Sequence, residues 1–226
     1  MLKKAILLSC LFLFLPVFTS YANQDDIISG RIITGYRILP VDTTDKEINF
    51  TVYRGDYIKF SFSNDVASLD FSIPELKYQD TVFANPDKSP FFKMKKTGNY
   101  SFTLGDTTGK IKVIELIRPN YSAVTADEAA KILKNLKPYI LDVRTQQEYE
   151  QLHIEGTHLI PIGQLQARMS ELESKKHEDI LVYCATGNRS TVASRILVNS
   201  GFKRIHNLRY GIYDWAKKGH PYTSGK

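Results

Sequence analysis

The sequence predicts a two-domain protein, an all-β sandwich followed by an α/β unit built on a parallel central sheet. Three observations lead there. Between residues 31 and 116, short runs rich in β-branched and aromatic residues are cut by turn-forming stretches. From residue 125 onward, continuous apolar runs alternate with segments of helical period. The two regimes meet at Arg118-Pro119-Asn120, which places the domains at 23–118 and 119–226.

Residues 1–22 precede both and have the three-part form of an export leader. MLKK supplies positive charge, AILLSCLFLFLPVF an apolar stretch, and Ser20-Tyr21-Ala22 a small-x-small cleavage site. A mature protein beginning near Asn23 and exported to the periplasm is expected. The apolar run is shorter than the ~20 residues that span a bilayer and is interrupted by Pro16, so no membrane span is expected after cleavage. The chain carries 30 Lys and Arg against 24 Asp and Glu, a formal net charge of +6. Loss of Lys3 and Lys4 with the leader lowers that to about +4, which gives no ground for a nucleic-acid partner. The leader also takes Cys10 and leaves Cys184 as the sole thiol. No internal disulfide is then available, and a lone thiol in an oxidising compartment asks for a reason.

In the first domain the β-type runs are RIITGYRIL, EINFTVY, DYIKFSFS, LDFSI, FFKMK, NYSFTL and KIKVIEL. Arg54-Gly55-Asp56, Asn85-Pro86-Asp87 and Thr97-Gly98-Asn99 punctuate them. Ile58, Phe60, Phe62 and Tyr100, Phe102, Leu104 alternate with polar residues, so these strands bury one face, and the number of strands fits a sandwich. Lys93, Lys95 and Lys96 read as a solvated strand face.

In the second domain Thr125-Ala126-Asp127-Glu128 forms a capping box that starts the helix AAKILKNL. YILDV follows as a buried strand, QEYEQ as a short helix and IGQLQARMSELES as an amphipathic one. ILVYC is a second buried strand, STVASRILVNS a helix ended by Gly201, RIHNL a third strand and GIYDWAKKG a last helix.

Cys184 therefore stands at the carboxyl end of a parallel strand, where open α/β sheets place their ligands. Ala185, Thr186, Gly187, Asn188 and Arg189 follow it, and a helix is expected from Ser190. Small residues let backbone N–H groups turn toward the sulfur, and the helix N-terminus adds partial positive charge; both favour the nucleophilic thiolate. Arg189 brings a fixed charge and a fork of donors for an anionic group. Residues 185–190 are accordingly the expected substrate cradle around a catalytic Cys184.

These residues resemble a known family. CATGNRS is similar to the active-site loop of rhodanese-type sulfurtransferases. LDVRTQQEYEQLHIEGTHLIPIGQL resembles their first signature, through Asp142, Arg144, Glu148, Tyr149, His153, Ile154, Gly156, Ile160 and Pro161. GFKRIHNLRYGIYDWAKKGHP is similar to the closing one, through Gly201, Leu208, Gly211, Trp215 and Pro221. Leu152 and Tyr210 stand where the family usually has glycine. The resemblance implies a ping-pong cycle. Cys184 takes a sulfane sulfur from a small anionic donor such as thiosulfate, holds it as a transient persulfide without a cofactor, and passes it to a thiol or cyanide-like acceptor. It also implies structural rather than catalytic roles for Asp142 and His153, with Arg144 as an ion-pair partner.

Cysteine phosphatases also end a thiolate loop in Arg, but with five intervening residues; here there are four, which suits one sulfur better than a phosphoester. His158, His177, His206 and His220 show no metal spacing. Residues 30–117 resemble cupredoxins, yet leucines occupy positions 69 and 104 where ligands are expected, and no His or Cys lies between Asn23 and Pro119, so no copper site is expected. The sandwich is then a scaffold or a docking module for a protein partner. A contrasting reading is non-enzymatic, with the loop binding a persulfide or small anion and the sandwich recruiting a partner.

Overall fold

The computed structural model describes residues 27–63 and 65–225; the expected leader at 1–22 lies outside them. The first unit holds strands β1 (Arg31–Ile33), β2 (Tyr36–Pro40), β3 (Glu47–Tyr53), β4 (Tyr57–Ser61), β5 (Ser68–Ile73), β6 (Tyr78–Phe83), β7 (Phe92–Lys93), β8 (Gly98–Leu104) and β9 (Thr107–Ile114). They form two sheets, ordered β1-β2-β4-β7 and β3-β9-β8-β5-β6. Phe60 of the first sheet meets Phe71 and Phe102 of the second at ring-centroid distances of 4.9 and 6.3 Å, so one aromatic core lies between them. The alternating residues Phe102 and Leu104 do point into that core.

Two differences from the expected strands have local causes. RIITGYRIL is a hairpin, because Thr34 and Gly35 take positive φ values of 47° and 87° and reverse the chain between β1 and β2. Strand β6 was not expected; it is a sheet edge with Val82 as its only fully buried residue, so its sequence carries little apolar alternation. The pairs β2/β4 and β3/β9 are parallel.

The second unit runs β10 (Tyr121–Val124), α1 (Ala126–Leu136), β11 (Tyr139–Asp142), α2 (Gln146–Gln151), β12 (His158–Leu159), β13 (Asp179–Tyr183), α3 (Asn188–Asn199), β14 (Arg204–Leu208) and α4 (Gly211–Lys217). All its strand pairs are parallel, in the order β10-β14-β13-β11-β12. The period of two along β13 sorts the core. Ile180, Val182 and the following Cys184 pack with α3, whereas Leu181 and Tyr183 pack with α1 and α4. Both faces of the sheet are covered, and the thiol falls on the α3 side.

The Thr125 capping box is present, with Glu128 Oε2 accepting from Thr125 N at 2.8 Å. IGQLQARMSELES does not form the expected α-helix; it makes turns and then a 3₁₀ helix over Met169–Lys175. Its ion pairs Arg168–Glu171 and Lys176–Glu173 are both three residues apart, the spacing that a three-residue turn brings together.

The units meet on the α3 side. Ile32 and Tyr57 of the first unit pack against the core cluster that contains Cys184. The Asp56 carboxylate, fully buried, accepts from Arg37 Nε at 2.5 Å in its own unit and from Arg195 Nη1 of α3 at 2.7 Å. At Gly55 a Cβ would stand 3.0 Å from Thr191 Cβ and 3.1 Å from Asn188 O, and φ is +96°, so only glycine lets this turn press against the first turns of α3.

Candidate active site

Cys184 follows the last residue of β13 and is 1% exposed. Its sulfur accepts a hydrogen bond from the Gly187 N–H at 3.1 Å. The turn that makes this possible needs glycine: φ is +90°, and a Cβ there would lie 1.7 Å from Arg209 O. Three donors hold the Gly187 carbonyl in turn, namely Thr191 N at 3.2 Å, Thr191 Oγ1 at 2.8 Å and Ser190 Oγ at 3.1 Å. The Cys184 carbonyl accepts from Ile212 N at 2.8 Å, which ties the loop to the first turn of α4.

Helix α3 begins at Asn188, two residues earlier than expected, with Gly187 as its N-cap residue. The free loop is therefore only Ala185, Thr186 and Gly187. The six residues expected to form the cradle divide accordingly. Ala185, Gly187 and Ser190 are buried; the Gly187 N–H meets the sulfur, and the Ser190 hydroxyl is spent on the Gly187 carbonyl. Thr186 is exposed, and with the half-buried Asn188 it lines a cleft between the two units.

Arg189 has a partner that the sequence did not reveal. Its guanidinium binds the Glu148 carboxylate in a bidentate pair, at 2.8 Å from Nη1 to Oε2 and 2.5 Å from Nη2 to Oε1. Glu148 also completes the capping box of α2 with Thr145. The hydrogen bonds from Arg189 hold the Glu148 carboxyl well below the usual range, at about 2, and those same bonds push the Arg189 guanidinium up. The fixed charge beside the thiol is thus largely balanced.

The expected structural residues sit below the loop. Arg144 and Asp142 form a fully buried pair, with Nη2 2.6 Å from Oδ2, and Arg144 Nη2 also donates to Leu152 O at 2.6 Å. His153 stacks on Tyr149 at 3.8 Å, with Nδ1 2.9 Å from Tyr149 O, and its backbone pairs with Thr223. Leu152 has extended backbone and Tyr210 a φ of −107°, so neither position requires the glycine usual in the resembling family.

The first unit reaches this site too. Burial pushes the Tyr57 hydroxyl up to about 12, and the Cys184 sulfur adds to the effect. Lys93 Nζ lies over the Tyr57 ring at 4.9 Å and the Phe91 ring at 5.8 Å. Burial, then Lys95 and Arg189, hold its ammonium below the usual lysine range, while the Cys184 sulfur acts in the opposite direction. No signal in the isolated sequence links residues 57 and 93 to a loop more than 90 positions away. At the two positions where a copper protein would carry ligands, Leu104 is buried and Leu69 packs against the core.

The model of the rhodanese-like domain matches residues 125–218. A putative sulfur carrier protein, YrkF of Bacillus subtilis (strain 168), is 40% identical over 79 residues, which cover 35% of this chain and 42% of that protein. A sulfurtransferase of Allochromatium vinosum is 38% identical over 82 residues, covering 36% and 75%. A tRNA uridine(34) hydroxylase of Photorhabdus laumondii is 25% identical over 167 residues, covering 72% and 41%. The chain thus spans less than half the length of the carrier protein and of the hydroxylase. Through residues 125–218, with Cys184 at the end of the central strand, the chain belongs to the rhodanese-like family.

Proposed function

We propose that the protein is an exported sulfurtransferase that carries sulfane sulfur as a persulfide on Cys184. The carrying observation is the 3.1 Å approach of the Gly187 N–H to Cys184 Sγ, where a backbone donor and the first turn of α3 are aimed at a sulfur anion. The Cys184 thiolate attacks the outer sulfur of a thiosulfate-type donor. The donor S–S bond breaks, sulfite leaves with the electron pair, and the sulfur stays on Cys184. A thiolate or cyanide then attacks that terminal sulfur, the new bond forms as the Sγ–S bond breaks, and Cys184 returns as a thiolate. The Gly187 N–H steadies the negative charge at both ends of the cycle. Sulfur-handling proteins among the relatives support the reading.

We read the first unit as a cupredoxin-like sandwich without copper ligands, whose role is to wall the active site. Export rests on the leader at residues 1–22. Mass spectrometry of protein treated with thiosulfate tests the cycle. One sulfur should be gained on Cys184 and be removed by cyanide, and Cys184→Ser should gain none. Equal transfer by Cys184→Ser would sink the proposal.

The Glu148–Arg189 pair favours a second reading, a sulfur carrier loaded by another protein's persulfide, because the cation beside the loop is already balanced against an anionic donor. Under that reading thiosulfate leaves Cys184 unmodified while a persulfidated protein loads it.

A further inference from the structure

We propose that the cleft between the two units is a subsite for the anionic portion of a peptide-sized thiol that carries carboxylates and accepts sulfur from Cys184. This rests on the sulfurtransferase reading and names its acceptor class. The cleft is about 600 Å³, within the range of small-molecule sites and far larger than thiosulfate needs. The first unit supplies Arg54, Lys95 and Lys96 to its wall; the second supplies Arg209 and, from the loop itself, Thr186 and Asn188. Neither unit alone makes the site.

Its charge is one-sided. Four cations face one carboxylate, Glu115, which is already occupied by Arg54 Nε at 2.6 Å and Arg209 Nη2 at 3.8 Å. Among the described residues Lys95 and Lys96 have no ion-pair partner. Arg54 is buried, and its Nη2 has no hydrogen-bond partner. Two ammonium groups without an ion-pair partner, in a cleft whose one carboxylate is already shared by two guanidiniums, are an arrangement that a ligand's carboxylates complete. Thr186 and Asn188 belong to the loop and first helical turn that follow Cys184, so a thiol whose carboxylates rest in the cleft lies against the segment that holds the reacting sulfur. The reaction is the second half of the cycle: the acceptor thiolate attacks the terminal sulfur of the persulfide, the Sγ–S bond breaks, and the acceptor leaves as its own persulfide. No oxidant or reductant is consumed.

The test compares two acceptors with the full-length protein. Glutathione carries two carboxylates; 2-mercaptoethanol carries none. The double substitution Lys95→Glu and Lys96→Glu should raise the KM for glutathione about tenfold relative to that for 2-mercaptoethanol, since each exposed cation contributes only modestly and both are reversed. In parallel, calorimetry with the unreactive S-methylglutathione reads the cleft without sulfur chemistry. Its affinity for Cys184→Ser protein should fall about tenfold with the same double substitution, and should weaken as salt is added. An unchanged KM ratio between the thiols, or S-methylglutathione binding that is absent or indifferent to the two lysines, overturns the subsite. An acidic protein surface as the true occupant would give that second result. Charge-dependent S-methylglutathione binding by a protein that transfers no sulfur would instead leave the subsite standing and remove the sulfurtransferase reading.

Discussion

Replacing Asp56 with alanine should loosen the joint between the units. Asp56 has no solvent exposure and bridges Arg37 and Arg195, whose side chains are 4% and 5% exposed. It also accepts from the Tyr53 N–H at 2.9 Å. Breaking one buried ion pair by deleting a partner costs about 3–5 kcal/mol, because the other charge is left buried. Here two guanidiniums of like sign lose their common counter-ion. Arg37 keeps Ser29 O at 2.5 Å, whereas Arg195 keeps only its place over the Tyr53 ring at 5.1 Å, and its Nη2 already lacks a partner. The cost therefore sits near the top of that range, about 5 kcal/mol. For a protein of this size that lowers the melting temperature by roughly 10–20 °C. Urea unfolding followed by circular dichroism and by fluorescence of Trp215, the single tryptophan and a core residue of the second unit, measures both the loss and its cooperativity. Changing all three at once, Arg37→Met, Asp56→Leu and Arg195→Met, should recover most of the loss, because no buried charge remains. A loss under about 2 kcal/mol for Asp56→Ala, with no recovery in the triple variant, would refute the view that this triad clamps the units.

Two further outcomes follow from the loop. Glu148 has its carboxyl lowered from 4.5 to about 2 in the folded protein, so its contribution is fully present above pH ~4.5 and fades as pH falls toward 2. Glu148→Gln keeps the capping chemistry of α2 and should cost about 1 kcal/mol at pH 6, after allowance for solvent screening of a partly exposed pair, and almost nothing near pH 2.5; equal losses at both pH values in denaturant titrations would contradict the assignment. Gly187→Ala forces a side chain onto Arg209 O and should displace the N–H that meets the sulfur, cutting sulfur transfer from thiosulfate to cyanide about 10²-fold while Trp215 fluorescence still reports a folded second unit.

How much of this was legible in the sequence depends on the range of the interactions involved. The capping box at Thr125, the buried strand ILVYC and the position of Cys184 are local patterns, and they appear in the structure as a four-residue cap and a buried strand that stops just before the thiol. The start of α3 was misplaced because Gly187, read as part of the loop, is the residue that turns directly into the helix. The 3₁₀ helix at Met169–Lys175 carries apolar residues at spacings that also suit an α-helix, so periodicity did not separate the two. Glu148 was visible only as part of a signature, since its bond to Arg189 spans 41 positions. The contributions of Asp56, Tyr57, Lys93 and Lys95 to the site come from long-range packing of one unit on the other, and no local sequence rule reports such contacts.

The turn at Gly55 touches α3 through backbone and a single threonine, close to the helix start that frames the thiol. A doorway built half by a neighbour is one whose shape can be altered without touching the lock. Under the proposed function, substitutions in the first unit would change which molecules are admitted while Cys184 and its loop stay as they are. Grafting a different β-unit onto residues 119–226 would then be a way to re-address the same reaction, provided that the graft keeps a bare backbone where Gly55 now rests.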